Sequence, residues 1–390
     1  MPRRRSSDPR FSELIQDIDV ARFRDSIRAD FADFPDPRRG TSVIYPAWCI
    51  LFVVLSGYLA GGNNLGDVAH FAELREDWLK ELLDIDRVPS YDTIWWFLVR
   101  TDPEAFQALL RRWLGGLSDD LRDQLLVIDG KRLKGVSDSQ HITHVVEMFA
   151  AESRLTIAQE KVSRKSGEPA SLPALLDTVD VTGAIVSMDA LYAHTSNTRE
   201  VLKRGADYIV AIKGNQPTLH DEVVNYFEQA YAIHYEGIDV TRSSSEDQSH
   251  GRFEQRVVTA TQQLDWLPQA EAWNIRTLVE VRSERHLDGS VEKGIRYFGS
   301  SRSGKADEFA SWIRGHWSIE NSLHYVLDVI FREDASLADA GNSAENIALI
   351  RRLAMNIVVQ SDPGRGMANA RRSATHDPRY LRGLLASVFC

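Results

Sequence analysis

Cysteine is almost missing from this chain: 390 residues hold two, Cys49 in an apolar stretch and Cys390 at the last position. That excludes a disulfide framework and a four-ligand zinc site made of thiolates alone, and it suits a reducing compartment. Long hydrophobic runs are missing too. Thr41 to Asn64 carries no charge, but Pro46, Ser56, Gly57, Gly61 and Gly62 interrupt it. The apolar core left is shorter than the roughly 18 residues a spanning helix needs, so a buried helix is expected and no membrane partner. The first ten residues carry Arg3, Arg4, Arg5 and Arg10 with no apolar core behind them, so no secretory signal is expected and the cytoplasm is the predicted location.

An excess of positive charge is also lacking, with 46 basic against 56 acidic side chains and a net charge of −10. Taken alone, that argues against a phosphate-rich partner, because phosphate binding draws on Lys and Arg. The average hides a segregation. Residues 351–390 hold seven arginines against Asp362 and Asp377, whereas residues 215–255 hold eight acids against Arg242 and Arg252. A local polyanion site therefore stays open. Hydrophobic residues at 43% and charged residues at 26% are those of a globular chain, and the length predicts two to three units at roughly 150 residues each.

Hydrophobic periodicity divides the chain. Residues 1–118 predict an all-helical unit, within which Ser90 caps a helix running into Ile94, Trp95 and Phe97, in the manner of a helix-turn-helix. From residue 119 to 215 the texture becomes that of a mixed sheet. Apolar runs at 124–129, 144–150, 154–161, 183–189 and 207–213 predict five strands, with helices at 169–179 and 197–204. Right-handed crossovers then set the first and fourth strands side by side and bring Asp129 next to Asp189. Residues 216–303 predict a β-rich insertion with antiparallel strands of its own, and residues 304–390 a helix followed by a basic helical region. No internal repeat is evident.

Asp129 and Asp189 each end an apolar strand, at a sheet rim where ligand sites are favoured. Two carboxylates held close together repel unless a cation neutralises them, and a divalent metal does so. Either aspartate alone reads equally as a turn or helix cap. His316, Glu320, His324 and Asp328 recur every four residues along one helix stripe, which can face one site or simply solvent. The two histidines lie two turns apart, too far to share one zinc ion readily. Oxygen ligation by Asp129, Asp189 and Glu320 suits Mg²⁺ or Mn²⁺ better.

The motifs Val127-Ile-Asp-Gly-Lys131, Val186-Ser-Met-Asp-Ala190 and His316-Trp-Ser-Ile-Glu-Asn-Ser-Leu-His324, with Phe331-Arg-Glu-Asp334, resemble the DDE transposases of the ISAs1 family of bacterial insertion sequences, which includes the H-repeat-associated proteins. The resemblance spans nearly the whole chain. It implies a ribonuclease H-like catalytic domain, α/β in class, with a mixed sheet, flanking helices, a β-rich insertion and an all-helical N-terminal domain. By the same resemblance Asp129, Asp189 and Glu320 form the acidic triad and hold two Mg²⁺ or Mn²⁺ ions. The activity implied is cleavage at transposon ends and strand transfer by in-line phosphodiester transesterification. The partners implied are the terminal inverted repeats and target DNA, with a homodimer to synapse two ends, and the location becomes nucleoid-associated.

The chain departs from the wider IS4-type pattern. The positions of its Tyr, Arg, Glu and Lys fall on Ile313, His316, Glu320 and Leu327, so only the glutamate is kept. The vacant lysine role passes to Lys213, Lys131 or another residue. Lys131, Arg132, Lys134, Lys213, His316 and His324 are candidate DNA-phosphate contacts, and Trp317 stacks on a base or packs in the core. Asp328, Glu333 and Asp334 are reserve carboxylates. A ribonuclease H-like nuclease that does not join DNA, and a DNA-binding protein that no longer cuts, are the alternatives.

Overall fold

The structure is a computed structural model that describes residues 19–38, 43–115, 121–133, 143–162, 167–249, 252–287, 290–338 and 340–389. Among the described residues six helices come first: α1 (Val20–Asp30), α2 (Ala47–Leu59), α3 (Leu65–Leu74), α4 (Glu76–Leu83), α5 (Tyr91–Arg100) and α6 (Pro103–Gly115). Side-chain caps start four of them, Asp102 accepting from the Glu104 amide before α6. Asp19 accepts from the Ala21 and Arg22 amides, Asn64 from Asp67 and Ser90 from Thr93. In α2 every residue but Trp48 is buried, as expected of a helix that is apolar all round. No described helix is long and apolar enough to cross a membrane.

Five strands follow with two helices between them: β1 (Leu125–Leu133), β2 (Thr143–Ala150), β3 (Leu155–Val162), α7 (Glu168–Leu176), β4 (Ile185–Met188), α8 (Thr195–Lys203) and β5 (Asp207–Ile212). Their order in the sheet is β3-β2-β1-β4-β5, with β2 antiparallel to both neighbours and β1, β4 and β5 parallel. This is the mixed order expected of a ribonuclease H-like core. β1 runs on through Gly130 to Leu133, where the sequence predicts a turn. Cross-strand bonds to Val146, Val145, His144 and Thr143 hold those residues extended.

The chain continues as α9 (Pro217–Ala232), β6 (Val240–Ser249), β7 (Arg252–Thr261), a short α10 (Gln269–Trp273), β8 (Thr277–Leu287) and β9 (Ser290–Ser300). These strands do not form a sheet of their own. β9 pairs antiparallel with β5, so β8, β7 and β6 extend the same sheet to nine strands. The polar stretch around Ser243–Ser249 is a strand as well. It pairs with β7 along its length, and ladder bonding outweighs its lack of apolar residues because it is the exposed edge.

α11 (Ala306–His316) then crosses back over β1 and β4, and α12 (Ser343–Ser361), α13 (Met367–His376) and α14 (Pro378–Phe389) close the chain. α12 packs on β3 and against α2, α5 and α6, so one apolar core runs from Phe23 to Ala386. In α5, Ile94, Phe97 and Leu98 are buried, whereas Trp96 is exposed beneath the Arg100 guanidinium, 4.6 Å from its ring centre.

Candidate active site

Parallel pairing of β1 with β4 sets Ile128 opposite Met188, so Asp129, still within β1, and Asp189, just past the end of β4, come at matching positions. The third acid arrives on the helix that covers this face. A Cβ on Gly315 would stand 2.5 Å from Leu125 Cδ2, so glycine is what lets the end of α11 sit down on β1. Beyond His316 the helix continues in two wider turns, Glu320–His324 and Val326–Ile330, where the Tyr325 amide bonds to the Glu320 carbonyl and the Phe331 amide to the Val326 carbonyl. Such π turns are rare and recur at functional sites. Here they leave Leu323 and Leu327 fully buried while Glu320 stays exposed.

Asp129, Asp189 and Glu320 line one cavity of about 380 Å³, together with Lys213, His316 and Trp317. Asp129, Glu320 and His324 each offer a ligand atom, and these atoms lie within 4.8 Å of one another. The His324 ring is surrounded by acids: its Nδ1 is 3.4 Å from Glu320 and 3.9 Å from Asp129, and its Nε2 is 3.2 Å from Glu147. Glu147 is there because β2 pairs it directly across from Asp129. It is fully buried and accepts from Arg352 Nε at 2.5 Å.

Burial pushes the Asp129 carboxyl up to about 6, against the pull of His324 and of the Gly130 amide. Burial alone would lower His324, but bonds to Glu147 and Glu320 raise it to about 9. For Glu147, burial is outweighed by Arg352 and then His324, leaving it at about 2. The bond to His324 also holds Glu320 below the ordinary carboxylate range. For Asp189, burial is outweighed by Lys213, whose Nζ lies 3.0 Å from Oδ1, and the carboxyl is lowered. Arg352 and His324 are thus set among more carboxylates than they can neutralise. This surplus of hard oxygen donors at the rim of the sheet fits a divalent cation.

The candidate DNA contacts divide by position. Lys213 is well exposed at the cavity, Arg132 is exposed on β1, and Trp317 is 48% exposed with Arg296 over its ring. His316 lines the cavity; its Nδ1 is 2.9 Å from Ser187 Oγ, and burial depresses it to about 4, so the ring is neutral near pH 7. Lys131 and His324 turn inward instead. Lys131 is 7% exposed and bonds to Asp328 at 2.5 Å, with Asp334 at 3.9 Å and Glu333 at 4.0 Å, and His324 is equally buried. Lys134 lies outside the described residues.

Two contributors, Glu147 and Arg296, are absent from the sequence reading, and Arg352, counted there among the basic C-terminal arginines open to a polyanion, is instead fully buried. A lone acid in the apolar run His144-Val-Val-Glu-Met-Phe-Ala150 is itself a signal, because an unpaired buried carboxylate is too costly to keep. Nothing local marks Arg352 as its partner.

Two domain families match the chain. Residues 120–357 match the model described as Transposase DDE domain, and residues 28–114 match the one described as DDE_Tnp_1-associated. The chain therefore belongs to the DDE transposase domain family, a class of DNA transposases. Among its relatives is a protein of Escherichia coli O157:H7 named "Putative transposase YncI", 30% identical over 366 residues that cover 90% of this chain and 92% of that one. A second, from Escherichia coli strain K12, is named "H repeat-associated putative transposase YhhI"; it is 29% identical over 372 residues, 90% of this chain and 95% of that one. A piggyBac transposase in a synaptic complex with hairpin DNA superposes with a TM-score of 0.42 at 11% identity, covering 99% of this chain and 82% of that one. Membership of a DDE family carries with it DNA as partner and the use of a divalent metal.

Proposed function

We propose that this chain cuts DNA at the two ends of an insertion sequence and joins the freed 3′ ends to a target, with Asp129, Asp189 and Glu320 as the catalytic carboxylates. The observation that carries the proposal is that these three acids, from β1, the end of β4 and the helix after α11, line one cavity. Two Mg²⁺ or Mn²⁺ ions held by them supply activation of the attacking oxygen and charge stabilisation at the leaving oxygen. The chain's own groups do the rest. Asp129, beside Asp189 in the sheet and with a ligand atom within 4.8 Å of one on Glu320, would be the carboxylate common to the metal-holding set. Lys213 orients Asp189 through its 3.0 Å bond and takes the place of the lysine that cannot stand at Leu327, which is fully buried. Neutral His316 is fixed by Ser187 and offers its other ring nitrogen to a phosphate oxygen. Trp317, with Arg296 above it, presents an aromatic face to a base at the cavity mouth. Arg132 and the N-terminal helical unit contact backbone phosphates of the terminal repeat, and a homodimer synapses the two ends beside the nucleoid.

The test uses DNA that flanks the gene in its own genome. Wild type should nick at the element ends only with Mg²⁺ or Mn²⁺ and should join pre-cut ends to a target plasmid, while Asp129→Asn binds the ends without cutting. Retained cleavage by Asp129→Asn would remove the metal site from the reaction. Nicks with no joined product would favour a nuclease, and end binding without any cleavage a protein that has lost catalysis.

A further inference from the structure

We infer that Glu168 is a further cation-binding carboxylate, which holds a divalent metal ion at the Asp129–Asp189 pair from the face of the sheet opposite Glu320. The inference rests on the function proposed above and adds a ligand that the acidic triad does not include.

Strand alternation turns Gly130 to the opposite face from Asp129. That face is covered by α7, which packs on β2 and β3, and Glu168 is its first residue. The Glu168 carboxylate comes so close to β1 that a Cβ on Gly130 would lie 2.4 Å from its Oε2. Only glycine beside Asp129 leaves room for it. Glu168 is 3% exposed, with His144 Nδ1 3.5 Å from its Oε1. It borders a second cavity, of about 440 Å³, with Asp129, Asp189, Tyr192, Lys213 and Asn215. Asp129, Asp189 and Lys213 border both cavities, Glu320 only the first and Glu168 only the second. The aspartate pair thus stands between two carboxylates that approach from opposite faces.

An independent feature points to a ligand here. Tyr192 is 1% exposed and lines the Glu168 cavity, and its hydroxyl makes no hydrogen bond. A tyrosine hydroxyl carries its own proton, so this is a buried donor in the cavity of Glu168, Asp129 and Asp189 that bonds none of them. Leaving a buried hydroxyl without a partner is unfavourable, because it loses its bond to water and gains none in return. A metal-bound water at this spot is a partner that can both accept from the phenol and donate to a carboxylate. Oxygen donors alone select a hard cation, and Mg²⁺ keeps several waters when it binds. Glu168 therefore acts either as a direct ligand or through such a water, and Tyr192 as a positioning residue for it.

The experiment is a Mn²⁺ titration of the full chain without DNA, with free Mn²⁺ read by electron paramagnetic resonance and folding checked by circular dichroism. Glu168→Gln, nearly isosteric, should weaken one bound Mn²⁺ by about 10- to 100-fold, the range seen when groups supporting a metal site are removed. Tyr192→Phe should weaken the same ion less, by about 3- to 10-fold if one water-mediated bond is lost. Wild-type affinity in folded Glu168→Gln overturns the inference and leaves the triad standing. Should the glutamine variant fail to fold, Tyr192→Phe decides, and wild-type affinity there overturns the inference. The triad reading fails separately, if wild type binds no Mn²⁺ or Asp129→Asn binds it as wild type does.

Discussion

Replacing Arg352 by methionine should destabilise the protein by about 3–5 kcal/mol, the range for breaking a buried ion pair from one side. The guanidinium is fully buried; it donates to Glu147 at 2.5 Å, to both oxygens of Glu333 and to the Ala348 carbonyl at 3.0 Å. Each such charged hydrogen bond contributes about 1.5–3 kcal/mol, so the simple sum exceeds the expected loss. Relaxation reduces it. Glu147 keeps its bond to His324, and Glu333 keeps Arg351 at 3.8 Å and Lys131 at 4.0 Å. Against a total stability of about 5–15 kcal/mol, the variant would fold but marginally. Urea unfolding at pH 7, with an unchanged slope, is the assay. Arg352→Met/Glu333→Leu removes the cation together with the carboxylate that it bonds through both oxygens, and should recover about half of the loss. A single-variant loss under about 1 kcal/mol, or a double variant no more stable than the single, would refute the reasoning. The low-pH limb gives a second check. Glu147, depressed to about 2 from 4.5, contributes stability that is present above pH 4.5 and lost as pH falls toward 2, and without Arg352 that loss should begin at higher pH.

Three other outcomes follow from the same geometry. Gly315→Ala gains helix propensity but drives a methyl into Leu125, so a net loss of about 1–3 kcal/mol and reduced cleavage are expected, with Leu125→Val restoring both; an alanine variant as stable and active as wild type would contradict the close approach. In metal-free protein the raised pKa of His324, about 9 against 6.5, contributes stability that is full below pH 6.5 and lost as pH rises through 9. Denaturation midpoints should fall across that window in wild type and stay level in His324→Gln, and parallel curves would sink the assignment. Leu327→Lys places a charge at a fully buried position and should cost several kcal/mol without raising cleavage; a stable, more active variant would mean that the helix can turn this position toward the cavity.

What was legible in the sequence is what strand physics dictates locally. Apolar runs closed by Asp129 and Asp189 predict two parallel strands, and the register of Ile128 with Met188 puts the acids at matching positions, although β1 runs on past Asp129 to Leu133. Glu320 was reachable from the stripe it shares with His316 and His324. The stripe itself divides in a way spacing could not foretell. His316 bonds Ser187 and is neutral, whereas His324, two turns on, is enclosed by Asp129, Glu147 and Glu320. The partner that decides their charge lies on a strand in one case and on another strand plus the helix in the other. The same blindness hid Arg352, which meets Glu147 from 205 residues away, and β6, whose serines and acids carry no strand pattern and are held by their ladder to β7 and by α11.

The sheet extension explains how a carboxylate so far along the chain from Asp189 reaches the site without a hinge. An insertion folded as a separate sheet would leave the position of α11 dependent on a linker. Here β9 lies against β5 in a continuous ladder, so the residues that enter α11 start from the rim of the catalytic sheet, and α11 contacts β6 and β7 as well as β1 and β4. Gly315 then closes the gap to Leu125, and the wide turns after His316 bring Glu320 and His324 to Asp129 while Leu323 and Leu327 enter the core. The placement of Glu320 is therefore as rigid as the nine-stranded ladder beneath it. A site that must hold hard cations between carboxylates from different elements requires that rigidity, because the repulsion among its unliganded acids would otherwise push the helix away.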